Sequence, residues 1–579
     1  MAQLHSLFLA TAASLLLASP ALAADELRAL VGATVFDGTG ADPIPDAVVL
    51  MQGDHIEAVG PRGRVRIPGK AIVEDHSGRF IVPGLIDSHV HFFQTAGLYT
   101  RPDVVDLNAL RPYATDQAHA HASLDATFAR TLASGVTAVV DVGGPFWNFE
   151  LRQHARDSAV APRVAVAGPL ISTVSRPQLD LGDPPIIQAD SPEHARELVQ
   201  AQLAHDPDLV KFWFIMDPEL GIAPGLPILR AVLDEAHSAG VRVAVHATQL
   251  ETARAAVQAG ADLLVHSIDD SSVDPTFLDL LLEHDTVVSG TIVVYEGYAE
   301  VLSGELDLMP VEQRLGDPWV MHGWDELALA DLDDEARSAN QARVDRLRGR
   351  QPVMAANLAA MHAAGIPVAA GTDAGNIGTL HGPSIHRELA LMAEAGMSNR
   401  DVLLAATRDA ARVFAQAPQL GTLEKGKLAD MLILDADPLE DLANLQHIHR
   451  IVLGGESLDP AVLAPPSASE IVQRQVEAYG ARDLEAFLAT YAPDAALYRH
   501  PSGELIAQGH QAMRETYSTM FEASPQLKIH IQQRTAIGAF VIDLELVAGM
   551  RGGEPVRAVA IYQVDEGLIQ NVWFLPKGD

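Results

Sequence analysis

The pair His89 and His91, in the run Asp87-Ser88-His89-Val90-His91, is the chemically most specific feature of the chain. Side chains alternate along a strand, so in an extended segment both imidazoles face one way and can grip one cation. Lys211, His246, His266 and Asp373 each close an apolar run elsewhere, which brings the potential ligands to six. A single histidine among the 23 says little, because most serve as surface or hydrogen-bonded core groups. An H-x-H, two more histidines and an aspartate, all at strand ends, point instead to a metal site. From the residues alone, Lys211 is also open to a reading as a buried lysine paired with an acid. Cysteine is absent, which excludes thiolate sites, disulfides and cysteine nucleophiles and leaves nitrogen and oxygen donors.

These residues need a scaffold that gathers distant strand ends. Apolar strand-like runs fall at residues 80–91, 136–142, 163–171, 209–214, 241–246, 262–266, 286–293 and 366–373, separated by amphipathic stretches such as 192–204 and 226–239. Eight alternations predict an α/β fold, a (β/α)8 TIM-type barrel over 80–417, with its catalytic groups at the C-terminal strand ends. Residues 24–79 and 418–459 read as short strands between Gly, Asp and Pro turns, the two parts of one small composite β-sandwich. Pro465 and Pro466 mark a linker at 460–466, and 467–579 reads as helices followed by β-type runs, an α+β domain. Residues 1–23, an apolar run ending in Ala21-Leu22-Ala23, read as a signal peptide, with a retained membrane anchor as the alternative; on the first reading the mature protein is expected to be periplasmic or secreted and free of membrane. With 76 acidic against 40 basic residues, a net charge of −36 argues against nucleic acid as a partner. A composition of 48% hydrophobic and 20% charged residues excludes intrinsic disorder.

The run Ile81-Val82-Pro83-Gly84-Leu85-Ile86-Asp87-Ser88-His89-Val90-His91 is similar to the first-strand motif of the amidohydrolase superfamily, and Ala370-Gly371-Thr372-Asp373-Ala374-Gly375 resembles its strand 8 motif. The stretch from His246 to His266, with Ala259-Gly260-Ala261-Asp262 before its last histidine, resembles the imidazolonepropionase-like and metal-dependent prolidase branch. Over residues 27–457 this resemblance implies two divalent ions, zinc among the candidates. One would rest on His89, His91 and Asp373 and the other on His246 and His266, with Lys211 bridging both as a carbamate formed with carbon dioxide. Mononuclear members place a catalytic Glu three residues after the strand 5 histidine, but here Gln249 stands there and cannot act as a base. That departure favours two metals. The implied reaction is hydrolysis of an amide-like C–N bond in a small-molecule substrate, whether dipeptide, N-acyl amino acid or cyclic amide. A metal-bridged hydroxide would attack while Asp373 carries the proton to the leaving nitrogen. The same site would serve an ester, lactone or phosphotriester, and a catalytically silent small-molecule binding protein is the rival from another class.

Tyr295 and His381, close after strands 7 and 8, are expected at the substrate. An acid-rich insertion at 296–351, containing Trp319, His322 and Trp324, reads as a lid or as a solvated helical insert. Arg101, Arg111, Arg176 and Arg230 do not single out an anion pocket. Residues 467–579 resemble the SnoaL-like cone fold shared with ketosteroid isomerases, on Val476-Glu477-Ala478-Tyr479-Gly480-Ala481-Arg482-Asp483-Leu484-Glu485-Ala486-Phe487 and Tyr491-Ala492-Pro493-Asp494. Its polar candidates are Tyr498, His500, His530 and Asp543. Because that fold hosts many roles, the expectation is assembly into a homo-oligomer or ligand capture rather than a second catalysis.

Overall fold

A computed structural model describes residues 26–324, 326–327, 332–414 and 417–575. The expected signal peptide lies outside the described residues. The chain divides into two compact units between Leu463 and Ala464.

The first unit is built on eight parallel strand positions. They are β1 (Leu85–Val90), β2 (Val136–Asp141), β3 (Arg163–Val166, continued by Leu170–Ser172), β4 (Leu209–Trp213), β5 (Arg242–His246), β6 (Leu263–Val265), β7 (Val287–Ser289) and β8 (Val368–Ala369). Each pairs in parallel with the next through β3, and again from the Leu170–Ser172 segment to β8. The ring returns to β1 through Ser88 N donating to Ala370 O (3.0 Å), Asp373 N to His89 O (2.7 Å) and His91 N to Ala374 O (2.8 Å). Every residue of β1 and β2 is buried, as expected of parallel strands covered on both faces. Helices between strands begin and end on local signals. Ser191 caps Pro192–Leu203 by accepting from His194 N, Asp274 caps Pro275–Glu283, and Leu250–Ala259 stops at Gly260, whose φ of 103° suits a left-handed end.

The apolar run 80–91 is two strands rather than one. Phe80–Pro83 pairs antiparallel with Met431–Leu434 in the small composite sheet, and the barrel starts only at Leu85. Gly84 makes the transition because a Cβ there would sit 2.1 Å from Thr137 Oγ1 on β2. Leu30, Val49, Ile56, Ile81, Met431 and Val452 share one core, so both flanks of the barrel do build a single sandwich. The expected strands at 286–293 and 366–373 shrink to Val287–Ser289 and Val368–Ala369, and Val293 instead opens the helix Val293–Ser303. The described residues of the insertion form mainly helices, the last of them the 30-residue α1 (Asp334–Ala363).

The second unit contains α2 (Ala468–Ala481), α3 (Leu484–Ala489), α4 (Gly509–Glu522) and a six-stranded sheet. Its strands are β9 (Tyr491–Arg499), β10 (Glu504–Gln508), β11 (Lys528–Ile537), β12 (Phe540–Ala548), β13 (Val556–Asp565) and β14 (Leu568–Leu575), ordered β10-β9-β14-β13-β12-β11. β9 and β10 are additions to the sequence reading. Pro493-Asp494 signals a turn, and here it forms an irregularity between Tyr491 and Ala496 within one strand. Tyr479, Phe487, Tyr491, Tyr517 and Phe521 pack with ring centroids 4.5 to 6.1 Å apart. Asp543 is buried and paired with Arg534, Tyr498 stacks on Trp573, and His500 is exposed. The His530 side chain lies outside the described residues.

Candidate metal centre

Residues at or just past strand ends bring the histidines and Asp373 together, whereas Lys211, expected to close its run, lies mid-strand in β4 with Phe212 and Trp213 after it. His89 and His91 sit on successive same-face positions at the end of β1, with their Nε2 atoms 3.3 Å apart. Asp373 Oδ1 lies 3.3 Å from His89 Nε2 and 3.2 Å from His91 Nε2, and its Oδ2 is 3.8 Å from His266 Nδ1. Ring centroids of His266 stand 4.8 Å from His89 and 4.4 Å from His246. Lys211, 1% exposed on β4, lines the same cavity as His91, His246, His266 and Asp373. That cavity has a volume of about 260 Å³.

The backbone is bent to make this arrangement. His266 and Asp373 have φ of 77° and 58°, and Thr291 has 48°, left-handed values that side chains with a Cβ rarely adopt. The surroundings fix the ring orientations. His91 Nδ1 donates to Gly143 O (2.6 Å), which turns its Nε2 toward Asp373, and His266 Nδ1 lies 2.8 Å from Thr291 Oγ1. Asp87 ties β1 to the strand 8 turn, accepting from Thr372 N (3.0 Å), Thr372 Oγ1 (2.6 Å) and His89 N (3.2 Å). Asp141, the last residue of β2, accepts from Phe92 N (2.8 Å), Gly143 N (3.0 Å) and Asn148 Nδ2 (2.8 Å). The sequence reading missed Asp87, Asp141 and Thr291 as supports. Asp141 carried the signal already used for its neighbours, a polar residue closing an apolar strand.

Charge states follow from burial. Desolvation, with the nearby Lys211 charge, pushes His89 down to about 3, and desolvation also holds His246 and His266 well below the usual imidazole range. Burial would raise Asp373, but His89, His91 and His266 around it hold its carboxyl well below the usual carboxylate range. Desolvation brings Lys211 down to about 7 against the opposing pull of Asp373 and Asp141. Three buried atoms, His89 Nδ1, Lys211 Nζ and Asp373 Oδ1, have no hydrogen-bond partner among the described residues. Buried polar atoms are rarely left so. Neutral imidazoles, an ionised carboxylate and orphaned donor atoms form a set that fits divalent cations.

The remaining candidates divide. Tyr295 lines the cavity, and its hydroxyl donates to Asp269 Oδ2, which also accepts from Arg350 Nη1 (2.6 Å). His381 faces a separate small cleft. Its ring stacks on Phe92, and its Nε2 lies 3.1 Å from His91 O, so it supports the strand that carries His91. Gln249 begins the helix after β5 and accepts from Thr252 Oγ1.

Known proteins place these features. A SnoaL-like domain matches residues 472–572. An ochratoxinase of Aspergillus niger is 25% identical over 442 residues, covering 70% of this chain and 80% of that protein. An imidazolonepropionase of Cereibacter sphaeroides is 46% identical over 59 residues, 10% of this chain and 14% of that enzyme. A solved Xaa-Pro dipeptidase superposes with a TM-score of 0.56 at 20% identity, covering 75% of this chain and all of its own, a likeness of fold. The amidohydrolase family matches residues 80–458, from the start of the first-strand motif to the last strands of the composite sandwich, and the chain belongs to that family.

Proposed function

We propose that the first unit is a binuclear metal-dependent hydrolase of amide-like C–N bonds. The observation that carries this reading is the convergence of five donor side chains on one cavity, with His89 3.3 Å from both His91 and Asp373 beside it and three of the six donors holding orphaned buried atoms. His89, His91 and Asp373 would hold one divalent ion, zinc being a suitable choice, and His246 and His266 the other. Lys211 is the bridging candidate. Its amine, brought to about 7, has a large neutral fraction at neutral pH, and its adduct with carbon dioxide would be an anionic oxygen donor. When bound, the ions supply Lewis acidity that activates a water and polarises a carbonyl.

The chain's own groups do the rest. Asp373, ionised and facing the histidine cluster, takes the proton of the attacking water and delivers it to the leaving nitrogen. Gln249 cannot share that work. The apolar wall, which includes Leu170 and Ile186, excludes water from the acyl side of the substrate. The ochratoxinase likeness supports amide chemistry, and the apolar leader supports export to the periplasm.

Asp373→Asn should lower kcat about a thousandfold, the scale of lost proton transfer, while metal content stays near two ions per chain. Metal analysis and steady-state kinetics on N-acyl amino acids check both. Turnover that survives the substitution, or that survives complete chelation, would overturn the reading.

A further inference from the structure

One helix brings two arginines that have no ion-pair partner among the described residues to the cavity of the metal-type cluster. Arg343 and Arg346 are three residues apart on α1, hence on one helical face, and both line that cavity. Arg343 Nη1 donates to Val104 O (2.8 Å) and Asn340 Oδ1 (3.4 Å), while Arg346 has no hydrogen-bond or ion-pair partner among the described residues. Neither forms an ion pair among the described residues, Asp103 acting on Arg343 only at longer range, although nearby Arg101, Arg348 and Arg350 are paired with Asp103, Glu305 and Asp269. In a chain with 36 excess negative charges, a shortage of acids does not explain this. Two like charges held close repel, and an incoming anion relieves that repulsion. Asp373, already committed to the cluster, is the one carboxylate among the described residues that line the cavity. A substrate ammonium would find no acid to pair with there.

We propose that Arg343 and Arg346 form a carboxylate clamp that makes the site specific for N-acyl amino acids with a compact apolar acyl group, in preference to free dipeptides. This rests on the amide-hydrolase reading and names its substrate class. The free carboxylate is gripped by the two guanidiniums, whose planar donor forks match carboxylate geometry. The acyl group packs on the apolar wall that includes Leu170, Ile186 and Val294. A free dipeptide would add its ammonium to a cavity that already carries the unpaired Arg343 and Arg346.

Binding and turnover separate the two readings. The probes are 4-oxo-4-phenylbutanoate, a ketomethylene isostere of an N-benzoyl amino acid that cannot be hydrolysed, and its neutral primary amide. Each is titrated calorimetrically into the metal-loaded full chain. The acid should bind more tightly than the amide, and Arg343→Gln and Arg346→Gln should each cut that acid-to-amide ratio about tenfold or more, the scale of a charged hydrogen bond. Arg346→Lys should restore part of it. Ratios in both Gln variants equal to the wild-type ratio would overturn the clamp, as would kcat/KM for free dipeptides matching that for N-acyl amino acids. If the acid ratio falls in the variants yet no N-acyl amino acid is hydrolysed, the clamp stands and the hydrolase reading fails.

Discussion

Lys211 shows what a functional residue costs the fold that carries it. Its amine is buried at 1% exposure with no hydrogen-bond partner among the described residues. An unsatisfied buried polar group of that kind is worth about 1–3 kcal/mol of lost stability. Lys211→Met keeps the length and the apolar stem and removes the amine. In the chelated protein it should raise the unfolding free energy by about 1–3 kcal/mol, and in the metal-supplemented protein it should lower the ion content below two per chain. Denaturant unfolding and metal analysis read the two effects. Destabilisation of the chelated variant would mean that the amine has a partner worth keeping.

At the scale of elements, the site depends on how closely β1 and β8 approach. A Cβ at Gly371, two residues beyond β8, would fall 2.3 Å from Ser289 Oγ, 2.7 Å from Ser88 Oγ and 3.0 Å from His89 Cβ. Ser88 and Ser289 already share a 2.9 Å hydrogen bond across that gap. Gly371→Ala should therefore cost about 1–3 kcal/mol of stability, as overpacking does, and should lower metal affinity by displacing His89. Equilibrium unfolding and a competitive metal titration check the pair of effects, and wild-type values in both would show that the strands yield without strain. The motif Ala370-Gly371-Thr372-Asp373 was legible in the sequence. The steric reason for its glycine was not, because Ser88, His89 and Ser289 are remote in the chain.

For the whole molecule, two compact units imply two separable unfolding transitions, and Glu545 gives the second one a pH signature. Burial raises Glu545 to about 7, and Tyr562 donates to its Oε1 at 2.8 Å. In the unfolded chain it titrates near the ordinary value of about 4.3. The folded unit therefore binds more protons between those values, and its stability should fall as pH rises from about 4.5 through 7, by up to about 3 kcal/mol. Glu545→Gln should remove that component. Urea midpoints of the second unit across this range, wild type against variant, measure it. Equal slopes in both proteins would contradict the assignment.

By itself the sequence determined the eight strand-like runs, the donors that close them and the separation of a C-terminal α+β unit, because apolar periodicity and the last polar residue of each run are local properties. Tertiary structure alone decided the rest. The run 80–91 divides between two sheets because Gly84 must pass Thr137. His381 backs His91 because Phe92 takes its ring. Arg343 and Arg346 belong to the cavity because α1, an inserted helix with no strand pattern to announce it, contributes to its lining. Which distant side chains meet is set by the path of the chain in space, and spacing along the sequence does not encode that path residue by residue.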